Sequence, residues 1–294
     1  MSEIDKLEIC KQTRKFAAQS LYIVLKKLLK SQKPISEVIL RDIWLSEMRK
    51  NKNIFPDGWY TPPPHGMIIL FGDDKNIQRF DYRNARQEES WPREDVFLAR
   101  KNAVIFCYAS PVDNVTGIIG DFGITLYFGN NADMKQLLKT CLRINQDTFQ
   151  FAKIGMRISE VTIFAEKQMD KYGMTNQIIS YSDKTLKNIG HSIPATNEGW
   201  TDKEKKILSV GLKNWISAKD VISKKRFFVN AKEQIKIKPG VAFTIEPRPK
   251  VIDKPNLPSS LNYHTIAIFK ENGEKELLTN FDDLFTLAGM SYMM

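Results

Sequence analysis

Residues 236–249 read Lys-Ile-Lys-Pro-Gly-Val-Ala-Phe-Thr-Ile-Glu-Pro-Arg-Pro, and this stretch constrains the fold more than any other. Pro239-Gly240 is turn chemistry. The run from Val241 to Ile245 is β-branched and aromatic, so it reads as a short buried strand. Glu246 then falls at the strand's end, locked between Ile245 and Pro247. A carboxylate there costs free energy unless it is paired, hydrogen-bonded or bound to a cation. In an arbitrary sequence such a Glu is most often half exposed and salt-bridged.

Composition limits the alternatives. At 294 residues the chain buries a sizeable core, and 42% hydrophobic with 27% charged residues is the balance of a soluble globular protein. No apolar run approaches the ~20 residues of a membrane span. Residues 1–11 are too charged and polar for a secretory signal. Cys10, Cys107 and Cys141 are odd in number and form no Cys-x-x-Cys, which points to free thiols and a reducing, cytoplasmic setting. The net charge is +10, and residues 203–238 are enriched in basic side chains, among them Lys205, Lys206, Lys224, Lys225 and Arg226. Such a face recruits nucleic acid or an acidic protein, or is simply solvated. No aromatic-interleaved basic motif of the RNA-binding kind is present.

The pattern of elements is mixed. Residues 3–30 read as a long amphipathic helix, with Ala17, Leu21, Val24 and Leu28 on one face, ended at Ser31-Gln32-Lys33-Pro34. Ser36 is the expected N-cap of a second helix reaching about Arg49. Residues 53–95 are irregular, and the prolines around His65 favour extended backbone. Within them Met67 to Phe71 is a short strand, followed by a Gly72-Asp73-Asp74 turn. Residues 103–109 form a strand, Val112-Asp113-Asn114 a turn, and 117–128 a second strand or strand pair. Residues 133–151 form a helix beginning at Asn131 or Ala132, and Ser159 is the expected N-cap of another, stopped at Gly173. After Glu246 comes a proline-marked connection, 247–258, then strands at 262–270 and 277–281.

Three further stretches carry candidate chemistry. Gly117-Ile118-Ile119-Gly120-Asp121-Phe122-Gly123-Ile124-Thr125 places Asp121 beside a strand. Gly190-His191-Ser192-Ile193-Pro194 places a histidine after a glycine, followed by Asn197-Glu198-Gly199-Trp200. A lone His beside Gly is more often structural than a ligand. The strand at 262–270 carries His264.

Taken together, these segments resemble the pita-bread metallopeptidases: methionine aminopeptidases, Xaa-Pro aminopeptidases, prolidases and the metal-free creatinases. Pro-Gly-x-x-Phe-Thr-Ile-Glu-Pro is similar to the segment carrying one metal-binding Glu of that family. Asp121 matches its second metal-binding Asp, although the motif's Arg is Ile124 here. His191 matches its metal-binding His, with two later glycines replaced by Ser192 and Pro194. The first Asp of the family falls on Ser110, with Asp113 nearby, and the last Glu falls on His264.

The resemblance implies an α+β pita-bread fold, with antiparallel sheets covered by helices. Residues 1–294 would be one catalytic-type domain, with an irregular loop at 53–95 and a basic insertion at 201–238. It implies an aminopeptidase-like metallohydrolase that removes the N-terminal residue of peptides in the Xaa-Pro manner. The metal ligands would be Asp121, His191, Glu246 and His264, with Asp113 as a substitute carboxylate. This set holds one divalent ion (Mn, Fe, Zn or Co) rather than the family's pair. Catalytic candidates are Glu198, His65 and Asn197, the last standing where the family has a substrate-side His. Two other expectations follow from the altered residues. One is a metal-free, inactive binding module for nucleic acid or an acidic protein, and the other is metal-free chemistry of the creatinase kind.

Overall fold

The computed structural model describes residues 5–31, 33–55, 57–73, 76–81, 84–177, 180–209, 215–252, 257 and 261–294. Helix α1 (Lys6–Leu28) is capped by Asp5, whose carboxylate accepts from the backbone N–H of Leu7 and Glu8. Its inner face, with Ala17, Leu21, Val24 and Leu25, is buried. Helix α2 (Glu37–Met48) starts at Ser36 as expected, and Ser36 Oγ accepts from Ile39 N–H. Trp44 of α2 packs against α1 and donates its indole N–H to Ala17 O and Ser20 Oγ.

Two three-stranded antiparallel sheets form the centre. The first has the order β1–β2–β3, from β1 (Met67–Asp73), β2 (Ala103–Ala109) and β3 (Phe122–Tyr127). In the second, β5 (Ala242–Ile245) and β8 (Lys275–Leu278) flank β7 (Thr265–Phe269). A minor pair joins β4 (Met174–Asn176) to β6 (Pro249–Val251). The bridge Gly123↔His264 ties the first sheet to the second, and Ser192↔Phe243 and His191↔Phe228 extend the second beyond β5. Strands β2, β3, β5 and β7 are wholly buried, because helices cover them, while β8 is only partly so. Those helices include α3 (Ala132–Phe151), α4 (Ile158–Lys171) and the short α7 (Asp282–Leu287). This is the expected mixture of antiparallel sheets covered by helices.

Several boundaries differ from the sequence expectations, each for a tertiary reason. The N-cap of α4 is Arg157 rather than Ser159, because Ile158 and Ser159 donate their N–H groups to Ile235 O and Glu233 O. The strand expected over 117–128 begins only at Phe122, because residues 112–120 fold back on themselves through Val112↔Ile119 and Gly120 N–H to Pro111 O. The last strand stops at Leu278, where the Thr279 carbonyl turns to accept from Arg14 and Asn280 adopts φ 54°. The prolines before His65 lead into a 3₁₀ turn, Pro64–Gly66, instead of a continuous extended segment. The expected basic insertion contains α5 (Asp202–Ser209) and α6 (Trp215–Lys224). Gln32, Asp74 and, within the connection expected at 247–258, residues 253–256 and 258 lie outside the described residues.

Candidate metal centre

The site forms where the two sheets meet. Asp121 immediately precedes β3, Glu246 immediately follows β5, and His191 lies on the segment that extends the second sheet. Gly190 makes the last placement possible. Its φ is +153°, and a Cβ there would stand 2.2 Å from the carbonyl oxygen of Thr244, so only glycine lets this backbone run against β5. His191 N–H then donates to Thr244 Oγ1 and Thr244 N–H to His191 O.

The three side chains converge. His191 Nε2 lies 3.2 Å from Asp121 Oδ2 and 3.8 Å from Glu246 Oε1. Asp121, His191 and Glu246 each offer a ligand atom, all within 4.8 Å of one another, and all three residues are buried. His191 Nδ1 lies 3.0 Å from the Ser192 carbonyl, which only accepts, so Nδ1 carries the proton. That leaves the Nε2 lone pair facing two carboxylate oxygens. Three such acceptors repel one another unless a cation lies among them, either a proton on Nε2 or a metal ion. The donor set, one imidazole with two carboxylates, is one that divalent zinc, iron and manganese accept.

Other groups fix the ligands from outside. Trp59 donates its indole N–H to Asp121 Oδ1 at 2.7 Å, and its ring meets the His191 ring edge-on with centroids 5.1 Å apart. Tyr108 donates to Asp121 Oδ2 at 3.4 Å. Burial, reinforced by Asp121 and Glu246, pushes the Tyr108 phenol well above its ordinary range, so it remains a donor. Burial alone would also push Glu246 up, but the adjoining His264, with His191 and Arg248, brings it down to about 2. Its carboxylate is therefore ionised at any working pH.

His264 does not join the converging atoms. Its Nδ1 lies 2.5 Å from Glu246 Oε2, the oxygen turned away from His191, and the contact is an ion-pair approach without hydrogen-bond alignment. Its Nε2 lies 3.3 Å from the amide nitrogen of Asn262. Gly123 makes room for the ring, since a Cβ there would meet His264 Cδ2 at 2.4 Å. His264, expected as a fourth ligand, thus faces Glu246 rather than the converging atoms.

The remaining sequence candidates stand apart from the cluster. Asp113 is the cap of its own turn, with Oδ1 accepting from Val115 N–H, Thr116 N–H and Thr116 Oγ1, and it is not among the converging side chains. Ser110 Oγ points into the loop before β1, donating to Gly66 O and accepting from Tyr60 N–H. His65 faces Asp57, Nδ1 to Oδ1 at 2.5 Å, and does not line the site cavity. Glu198 is exposed and does not line it either. Asn197 also lies outside the cavity lining, and its shielded Oδ1 has no hydrogen-bond partner among the described residues.

A cavity of ≈ 80 Å³ adjoins the cluster, with His191, Glu246 and His264 on one wall. Tyr60, Phe106, Tyr108 and Phe228 supply aromatic surface, and Arg226 and Arg248 supply charge. Trp59, Tyr108 and Arg248 escaped the sequence reading, and Arg226 was read there only as part of the basic segment. The one available signal was Arg248, two residues beyond Glu246.

Two antiparallel sheets that bring an imidazole and two buried carboxylates together beside a cavity define the class: an α+β protein with a donor set that could hold a metal ion. The model of metallopeptidase family M24 matches residues 14–272, and the chain belongs to that family. A search of curated proteins finds no match. Among solved structures, an X-Pro aminopeptidase from Thermotoga maritima superposes with a TM-score of 0.59 at 14% identity, covering 93% of this chain and 60% of its own. A prolidase from Pyrococcus furiosus gives 0.60 at 14% identity, covering 94% and 64%. A methionine aminopeptidase from Thermotoga maritima gives 0.55 at 13% identity, covering 91% and 95%. The likeness establishes the pita-bread fold. The chain spans less than two thirds of the length of the X-Pro aminopeptidase and the prolidase.

Proposed function

We propose that this protein is a single-metal hydrolase acting on the N-terminal residue of short peptides, in the manner of an Xaa-Pro aminopeptidase. The observation that carries the reading is the convergence of Asp121, His191 and Glu246 beside a cavity. A divalent ion held there would polarise the scissile carbonyl and lower the pKa of a bound water. Asp121 and Glu246 supply the two negative charges that balance such an ion, and the Nδ1 bond of His191 to the Ser192 carbonyl fixes the ring for ligation. Tyr108, kept protonated, is a hydrogen-bond donor on the cavity wall beside Asp121. Among the sequence candidates no acid–base group reaches the cavity, because His65, Asn197 and Glu198 stand outside its lining. Turnover should therefore be slow, since general acid–base assistance is typically worth ~10²–10⁴-fold.

A second reading, an inactive binding module, is favoured by Ser110 standing where the family has a carboxylate. The basic segment gives its nucleic-acid version little support. Lys205, Lys224 and Lys225 each pair with a nearby carboxylate: Asp202, Asp220 and Glu204. The deciding experiment measures cleavage of Xaa-Pro and Met-initiated peptides with added Mn²⁺, Co²⁺ or Zn²⁺, beside a chelated control. Slow, metal-dependent release of the first residue supports the hydrolase. A folded protein that takes up no metal and cleaves none of them overturns it.

A further inference from the structure

Each carboxylate of the cluster has one oxygen turned to His191 and the other already engaged. Asp121 Oδ2 lies 3.2 Å from His191 Nε2, while Asp121 Oδ1 accepts the Trp59 indole N–H at 2.7 Å. Glu246 Oε1 lies 3.8 Å from His191 Nε2, while Glu246 Oε2 meets His264 Nδ1 at 2.5 Å. A zinc-sized ion stands about 2.0–2.2 Å from a carboxylate oxygen it binds, so neither of these short gaps admits one.

Trp59 is fixed in this role from several sides. It is buried, and its backbone N–H donates to the Ser110 carbonyl. Its ring meets the edge of His191, and the Arg226 guanidinium lies 4.7 Å from its centroid. The indole therefore cannot swing aside to release Asp121 Oδ1. On the other carboxylate, His264 is held by its strand and by the close approach of Gly123, whose backbone leaves space only for the imidazole.

The number of donors follows. Asp121, His191 and Glu246 offer one atom each, and among the described residues no fourth His, Cys, Asp or Glu joins the group. Ions differ in what they accept. Zinc is satisfied by four ligands, three from the protein and one from water or substrate. Manganese, magnesium and calcium favour six or more oxygens, and chelation by both oxygens of a carboxylate is one way to supply them.

We propose that Trp59 and His264 are the metal-selectivity residues of this site. By holding back Asp121 Oδ1 and Glu246 Oε2 they limit the ion to one oxygen from each carboxylate, and so select four-coordinate zinc over ions that need a larger shell. The inference rests on the metal site of the proposed function and adds the identity of its ion.

The test loads the full chain with Co²⁺ after chelator dialysis, because Co²⁺ absorbs visible light strongly in four-coordinate sites and weakly in six-coordinate ones. Zn²⁺ and Ni²⁺ affinities are measured beside it by competition with a chromophoric chelator. Nickel ordinarily outbinds zinc at nitrogen and oxygen donors. Wild type should instead hold Zn²⁺ more tightly than Ni²⁺ and give an intense Co²⁺ spectrum. Trp59→Phe keeps an aromatic ring and removes the N–H. It should move the preference tenfold or more toward Ni²⁺ and weaken the Co²⁺ absorption. Weak Co²⁺ absorption in wild type, or nickel held above zinc, overturns the inference without recourse to any variant and leaves the hydrolase reading standing. So does a Trp59→Phe protein that binds both metals with unaltered preference. Zinc-selective, four-coordinate binding by a protein that cleaves no peptide retains the selectivity and removes the hydrolase reading. A folded wild type that binds none of the three ions overturns both.

Discussion

Arg14 Nη2 donates to the backbone carbonyl of His264 at 2.5 Å, and this bond joins the first helix to the last metal-side strand. The same guanidinium donates through Nη1 to the Asp121 carbonyl, through Nη2 to Thr279 O at 2.7 Å, and through Nε to Asn280 Oδ1 at 3.1 Å. It is fully buried between the rings of Phe122 and Phe281. Burial draws its pKa down to about 9, against the opposing pull of Cys10, Asp121 and Glu246. One side chain therefore fixes the backbone of both Asp121 and His264.

Replacing Arg14 should damage stability and site together. Arg14→Met leaves three carbonyls and an amide oxygen without partners, and each buried orphan costs about 1–3 kcal/mol. A loss of about 3 kcal/mol or more is expected by urea unfolding, with weakened metal affinity in the folded fraction. Arg14→Lys should recover little, because an ammonium cannot reach carbonyls on both strands at once. Wild-type stability in Arg14→Met would contradict this account.

Asn145 plays a related part from α3. Its amide donates to Ile245 O at 2.9 Å and Tyr263 O at 2.7 Å, the residues just before Glu246 and His264. Asn145→Ala should cost about 1–3 kcal/mol and lower metal affinity. Asn145→Leu should do the same, because an apolar side chain of similar size takes the amide donor from Tyr263 O and leaves Ile245 O with only the Thr265 hydroxyl. Unaltered metal affinity in both variants would reduce Asn145 to a packing residue.

These two residues show what local sequence conveys and what it does not. Glu246 was legible because turn, strand and proline lie within a few residues of it. Asp121 and His191 were legible because glycines mark their close backbone approaches. The amphipathic helices α1 and α3 were legible from period alone. Arg14 and Asn145 act on carbonyls about a hundred or more positions away in the chain, and no local spacing encodes such a partner. His264 was found by position, but its orientation toward Glu246 was not, because the choice between ligand and Glu246 partner depends on how the ring is turned. Asp113 misled for the converse reason: a carboxylate near the right place already has a local task, capping its own turn.

The three cysteines supply a prediction independent of the site. Cys10, Cys107 and Cys141 are free and buried. Burial pushes the thiols of Cys10 and Cys141 up to about 12, and that of Cys107 higher still. The thiolate is the reactive form, and a thiol with a pKa near 12 is only about 10⁻⁴ ionised at pH 8. Ellman's reagent at pH 8 should find no rapidly reacting thiol in the native protein and three after denaturation. A fast native thiol would show that the cysteine concerned is open to solvent.

The last prediction concerns the number of metal ions and separates a ligand from its supporter. On the proposed reading, Asp121 and Glu246 would balance one divalent ion, with His191 as the neutral third ligand. A second ion would need the carboxylate that Ser110 lacks. Ser110 Oγ lies in the loop before β1, where a Cβ on Gly58 or Gly66 would come within 2.0 or 2.3 Å of it, so no space remains there for a larger acid. One divalent ion per chain is therefore expected by mass spectrometry and calorimetry, with affinity falling as pH is lowered because protons compete for the ligands. His191→Ala should abolish binding, since it removes a ligand. His264→Ala should weaken it by about 10–100-fold, the usual effect of losing a group that orients a ligand from behind. Complete loss in His264→Ala would make His264 a ligand after all, and two ions per chain at full occupancy would overturn the charge argument altogether.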